Sequence, residues 1–219
     1  MSSTPAAQVV VAASGFTQSN YSSGSETFIS YGVVLQNKSN VDALGLTVNV
    51  SFVDTLGRSV TTDQTTLIGI PAGTAFYVGG LASSNVSLTV ASMNVTVAAS
   101  SSQPHRLELP PVSGVSTQSD GLGDESVSGT FSDPYQTPVP STADIYVVYL
   151  GPQGNVVGGA SEFAGAAVQP GQSVAFGFSD DSSTINPSFL QSSAVSTVKA
   201  SVNPCVSAYS CPAQVPAPS

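Results

Sequence analysis

Few residues in this chain have the chemistry for a site, and they are scattered. Asp54 and Asp63 flank a turn sequence, and on two antiparallel strands joined there they would be paired carboxylates of the kind glycoside hydrolysis uses. The competing reading makes Asp54 a turn former whose carboxylate accepts from nearby backbone N–H groups, and that is the expectation. His105 is the single histidine and sits among prolines, so it is expected to be a solvated linker residue. Asp120, Asp124 and Glu125 lie in the glycine-containing stretch DGLGDE, which offers oxygen ligands for a weak calcium loop, although its spacing is not that of an EF-hand. The bland alternative is a solvated acidic loop. Asp180-Asp181 is weaker still, because adjacent residues of an extended strand point opposite ways. Cys205 and Cys211 stand close together with no histidine nearby, which favours a disulfide over a zinc site. Closing so small a loop stabilises by roughly 2–3 kcal/mol. No nucleophile elbow, P-loop or dinucleotide fingerprint occurs. No catalytic residue, cofactor or metal is therefore assigned, and the chain is read as a non-enzyme.

The elements that would position these residues are strands. In LGLTVNVSFVDTLGRSV, residues 44–60, five apolar residues from Leu44 to Phe52 alternate with small polar ones before a turn at Gly57. A period of two is that of a half-buried antiparallel strand. The pattern returns 97 positions later in ADIYVVYLGPQGNVV, which places Val48 on Ile145, Val50 on Val147, Phe52 on Tyr149 and Gly57 on Gly154. Gly129 likewise falls 97 residues after Gly32. The fold class expected is all-β, two tandem immunoglobulin-like antiparallel β-sandwich domains. Residues 1–7 form a lead-in, 8–106 the first domain, 107–206 the second and 207–219 a proline-rich tail. In the first domain the pattern predicts about seven strands, at 8–13, 27–36, 44–53, 58–68, 74–78, 86–91 and 93–99. Residues 100–111, SSSQPHRLELPP, read as a short stiff link. The last strand is expected at 194–202.

Composition narrows the partners. Charged residues make up 8% of the chain, so serine, threonine, asparagine and backbone must solvate its surface. Four basic residues against thirteen acidic ones cannot build a phosphate-tracking surface, which excludes nucleic acid and charge-driven membrane binding. Most of the net charge of −9 lies in the second half. No stretch has the length and apolarity of a transmembrane segment. Sequons start at Asn20, Asn37, Asn49, Asn85 and Asn94, with Asn20 and Asn37 the most loop-like. Tyr21, Tyr77, Tyr135 and Tyr146 are candidate contacts wherever they prove exposed, as are the loop ends and the groove between domains.

Tyr31-Gly32-Val33-Val34 with Asn37, Phe52-Val53-Asp54 with Gly57, and Pro71-Ala72-Gly73 carry a resemblance to a known family. In the second half the corresponding residues are Val127-Ser128-Gly129, Val147-Val148-Tyr149 with Gly154, and Pro170-Gly171. The chain resembles tandem FxLYD-type bacterial immunoglobulin-like domains of secreted or lipid-anchored envelope proteins. Gly151 stands where the first half has Asp54, and neither half keeps the name motif intact. The resemblance implies an extracytoplasmic binding or spacing module at a bacterial cell surface, with an unknown protein or cell-wall component as partner. On this reading Met1 replaces an export signal, and a lipid anchor is lost with the native N-terminus. The alternative, with a native Met1, is a virion structural protein: a capsid, spike or decoration subunit. A third reading, a hydrolase of cell-wall sugar, would need a deep cleft holding two close carboxylates.

Overall fold

Alternating side chains set the architecture, and the computed structural model describes it over residues 6–20, 26–85, 88–119, 125–179 and 195–205. Among these residues the regular elements are all strands. The first half contributes β1 (Val9–Asn20), β2 (Thr27–Asn37), β3 (Val41–Val53), β4 (Ser59–Ile70), β5 (Ala75–Ser84) and β6 (Ser92–Pro104). They form two antiparallel sheets, ordered β1-β2-β5 and β4-β3-β6. The second half repeats this with β7 (Val112–Ser119), β8 (Glu125–Ser132), β9 (Asp144–Leu150), β10 (Val156–Phe163), β11 (Ser173–Ser179) and β12 (Thr197–Asn203), in sheets β11-β8-β7 and β10-β9-β12. Each half is thus an immunoglobulin-like sandwich with Greek-key crossovers, the fold class its periodicity predicts.

Inward residues fill each core by the period-two rule. Ile29, Tyr31, Val33 and Leu35 of β2 meet Val48, Val50 and Phe52 of β3 in the first core. Val127 and Phe131 of β8, with Phe176 and Phe178 of β11, meet Ile145, Val147 and Tyr149 in the second. Two expectations need correction. Among the described residues the first half has six strands rather than about seven, because residues 88–91 are not strand and β6 runs unbroken to Pro104. The link between the sandwiches is consequently shorter than 100–111 and begins at His105.

The internal repeat is also less uniform than an ungapped shift of 97. That shift holds for β3 and β9 and for the hairpins that follow them. Asp54 N donates to Arg58 O and Gly57 N to Asp54 O, just as Gly151 N donates to Asn155 O and Gly154 N to Gly151 O. Gly57 and Gly154 both close their turns at positive φ, which only glycine adopts without strain. The shift fails for β2 and β8. Gly32 faces away from its own core, whereas Gly129 faces inward, where an added Cβ would meet the ring of Phe176. Gly129 is instead the counterpart of Val33: Val33 pairs with Val78, and Gly129 with Phe176. A slip of one residue reverses every side chain of a strand, so the matching of Gly32 to Gly129 by number alone is incorrect.

Gly32 has another task. The outward face of β1-β2-β5 carries Gly15, Gly32 and Gly79 as one cross-strand row. This row lies against the outward face of β10-β9-β12, so the two sandwiches dock back to back. A Cβ added at Gly79 would overlap the Val147 carbonyl oxygen, and one at Gly15 the Val156 carbonyl oxygen. Around the row, polar groups cross the seam. Ser30 Oγ donates to Gly159 O at 2.7 Å and accepts from Gly159 N at 3.0 Å. Thr17 Oγ1 donates to Val157 O at 2.6 Å, and Tyr77 N donates to Ser201 Oγ at 3.0 Å. Replacing Gly79 with valine is therefore expected to force the sandwiches apart. The G79V protein should show a larger radius of gyration by small-angle scattering and lose at least about 1–3 kcal/mol of stability in urea titration. An unchanged radius and midpoint would overturn the docking.

Candidate functional site

Back-to-back docking creates a cleft that neither sandwich has alone. Tyr31 belongs to the first core, and its cross-strand partner Gly80 leaves room for the ring. Its hydroxyl reaches the edge strand β4 and donates to Asp63 Oδ2 at 2.7 Å. Tyr146 comes from β9 of the second domain, yet its ring packs in the first core against Phe76, with centroids 6.1 Å apart. The Tyr146 hydroxyl lies 2.8 Å from Thr65 Oγ1 and donates to Asp144 Oδ2 at 3.2 Å. Asn203, fully buried, ties β12 to β4 by accepting from Ile68 N and donating to Thr66 O, and its amide also reaches Asp144 at 3.4 Å. Tyr31, Asp63, Thr65, Asp144 and Tyr146 line a cleft of about 370 Å3, with Gln64 and Ser161 on its walls and Phe163, 59% exposed, beside them.

The electrostatics of the cleft follow from burial. Desolvation pushes the Tyr31 phenol well above its ordinary value, and the bond to Asp63 adds to it. Desolvation likewise raises Tyr146, with Asp144 reinforcing the shift. Both phenols are therefore neutral donors across the physiological range. Asp144 is also raised by desolvation, which its bonds from Tyr146 and Asn203 only partly offset. No lysine or arginine lines the cleft. It can offer carboxylate acceptors, amide and hydroxyl groups of both kinds, and one flat apolar ring.

Sequence reasoning named Asp63 and Tyr146 separately and missed Asp144 and Phe163. The alternative pairing of Asp54 with Asp63 is not found. Asp63 lies opposite Val50, four residues from Asp54, and the two carboxylates serve different networks. Asp54 is the turn former: its Oδ1 accepts from Leu56 N and Arg58 N at 2.8 and 2.9 Å, and its Oδ2 from Arg58 Nε. These bonds, led by that from Arg58 N, hold its carboxyl below the ordinary value.

His105 does lie in the link and its side chain is 58% exposed, but it is not merely solvated. Its Nδ1 is 2.7 Å from Asp42 Oδ1. Asp42 is fully buried and also accepts from Ala72 N, Arg106 N and Leu107 N at 2.9, 2.6 and 2.6 Å. One carboxylate thus fastens the start of the link to the first domain, above a second cavity of about 540 Å3 lined by Phe76, Leu107 and Val202.

The remaining candidates separate cleanly. Asp120 and Asp124 lie outside the described residues, and Glu125 opens β8 opposite Ser119. Asp180-Asp181 and Tyr21 also lie outside them. Cys205 is 3% exposed just after β12, while Cys211 falls outside the described residues. Asn37 is not a loop residue: it is fully buried, and its amide donates to Val41 O and Ile70 O. A glycan there is incompatible with the fold. Asp133 does the same work in the second domain, accepting from Tyr135 N and Val139 N. Asn49 and Asn94 lie on the outer face of β4-β3-β6, cross-strand from Thr96 and Ser51. Tyr135 is buried with its hydroxyl donating to Glu108 O, so it is not a surface contact.

No protein-family model and no curated protein sequence matches this chain. Among solved structures it is similar to red sea bream transglutaminase at 13% identity, over 92% of this chain and 30% of that one, with a TM-score of 0.27. It is similar also to an oxalate decarboxylase variant of Bacillus subtilis at 9% identity, over 88% of this chain and 76% of that one, with a TM-score of 0.13. The chain spans less than a third of the transglutaminase's length.

Burial works to raise the pKa of Asp42, but its bonds from Arg106 N, His105, Leu107 N and Ala72 N together outweigh it and hold the carboxyl below its ordinary value. A carboxylate with a depressed folded pKa contributes stability above its unfolded pKa and loses it as pH falls through the folded one. Asp42→Ala should therefore cost about 3 kcal/mol or more near neutral pH, because three backbone donors lose their acceptor. The deficit relative to the unaltered protein should shrink in strongly acidic solution. Urea midpoints at the two pH values check both statements, and a pH-independent deficit would refute the charge-based account.

Proposed function

We propose that this chain is a non-enzymatic binding or spacing module of the bacterial cell surface, in which two immunoglobulin-like sandwiches act as one body and present the cleft between them. The observation that carries this reading is the composition of the cleft: Tyr31 and Asp63 come from one domain, Tyr146, Asp144 and Phe163 from the other. A ligand held there would touch both repeats, which gives the duplication and its rigid docking a purpose. The resemblance to FxLYD-type envelope domains supports the location, as does a surface poor in charge. A catalytic role has less support. The single imidazole does not line the cleft and is bound to Asp42, and each cleft carboxylate already accepts from a protonated phenol. In the envelope reading Cys205 and Cys211 form a disulfide, as an oxidising compartment allows.

The test is the intact mass of the protein from its native source, together with thiol alkylation before and after reduction. The envelope reading expects a processed N-terminus with a lipid-sized mass excess on an upstream cysteine, and thiols that react only after reduction. A chain that starts at Met1, with both thiols reactive at once and recovered in particles, would sink it in favour of the virion structural reading.

A further inference from the structure

We infer that the interdomain cleft is a binding site for a neutral pyranose of a cell-wall or surface glycan; this deepens the binding-module reading and rests on it. Phe163 ends β10 directly across the ladder from Asp144, and it leaves most of its ring in solvent beside the cleft. An exposed ring at the edge of a polar cleft has no packing role that explains it. A pyranose fits such a combination, because one face of the sugar carries C–H groups that lie against an aromatic ring while its rim carries hydroxyls. The walls match that rim. Each sugar hydroxyl is both donor and acceptor. Asp63 and Asp144 accept from it, and Gln64, Thr66 and Ser161 serve either role. Tyr31 and Tyr146 hold the two carboxylates in place from below by donating to one oxygen of each. Asp144 Oδ1 accepts no hydrogen bond among the described residues, so it remains for a ligand hydroxyl. The absence of lysine and arginine from the walls argues against phosphorylated, sulfated or uronic sugars. The volume, about 370 Å3, falls within the range of small-molecule sites, ~300–1,000 Å3.

The test is NMR titration of the full chain with neutral oligosaccharides (chitotriose, cellotriose and maltotriose) and, in parallel, with spermidine. The expected result is that at least one sugar shifts resonances of the cleft and not of Asn94 and Thr96 on the outer face of β6, with an affinity insensitive to salt. Phe163→Ala and Gln64→Ala, both at exposed positions, should keep the urea midpoint of the unaltered protein, and F163A should weaken sugar binding roughly tenfold. Spermidine binding at the cleft with no sugar response, or an affinity that falls steeply with salt, would overturn the sugar assignment while leaving the binding-module reading standing. If no probe shifts the cleft at millimolar concentration, the sugar assignment fails and the cleft loses its place in the function. Sugar binding unaltered in F163A would overturn it equally.

Discussion

The structure depends on how closely two sheets can approach when one of them carries no side chains at the point of contact. Face-to-face sheets ordinarily stand about 10 Å apart because interdigitated side chains fill the space. The row Gly15, Gly32 and Gly79 removes that filling across all three strands of β1-β2-β5, and the backbone of β9 and β10 together with the Val148 and Val156 side chains occupies the vacated room. Close approach brings backbone carbonyls within reach of short hydroxyls, which is why Ser30 and Thr17, rather than long polar residues, bridge the seam. It also carries Tyr146 far enough to complete the first core. The cleft, the crossing hydrogen bonds and the fixed relation of the repeats all follow from those three absent side chains.

The same topological sheet meets two fates in the two domains. In the second, β10-β9-β12 turns Tyr146 and Val148 outward and buries them in the seam. In the first, β4-β3-β6 carries Asn49 and Ser51 at the equivalent places, with Gln64 and Thr96 beside Asn49, and stays in solvent. The outward face of β11-β8-β7 is likewise polar and small, with Ser128 and Thr130 where the docked sheet has Gly32 and Val34 at its centre. Stacking by this contact is head to tail and would run on into a filament if both free faces kept its chemistry. The two free faces do not keep it: both are polar where the docked pair is small or apolar.

Much of the fold was legible because period-two alternation is a local signal. Leu44 to Phe52 and Ile145 to Tyr149 announce their strands, and the glycine turns announce the hairpins. The matching of Gly32 with Gly129 misled because identity at a fixed offset ignores the face a residue occupies. One makes room for a neighbouring sheet, the other for Phe176 in its own core. Asn37 looked like a loop residue because asparagine favours turns, and here it holds a turn from a buried position. The cleft was less legible. Asp63 and Asp144 stand 81 positions apart and meet only through the docking of outward faces, which alternation cannot foretell. A faint signal was present: Asp144 shares its strand face with Tyr146, so an outward tyrosine next to an outward acid marked a face unlike that of Asn49 and Ser51.

Burial is what favours the proposed binding role of the cleft over proton transfer. A proton-transfer pair needs one group poised to give and one to take near the working pH. Tyr31 and Tyr146 are pushed upward by desolvation and by the carboxylates they face, so neither releases its proton under ordinary conditions. Asp63 and Asp144 each accept a phenol at one oxygen, which fixes their orientation; Asp63 Oδ1 also accepts from Gln64 N at 2.7 Å. Rigidity of that kind lowers the entropic cost of binding, since the polar groups are already ordered before a ligand arrives. Two domains locked by glycine, two carboxylates oriented by phenols and one ring left in water are the features on which the proposed recognition role rests, with its chemistry set by what the walls can hydrogen-bond and what Phe163 can cover.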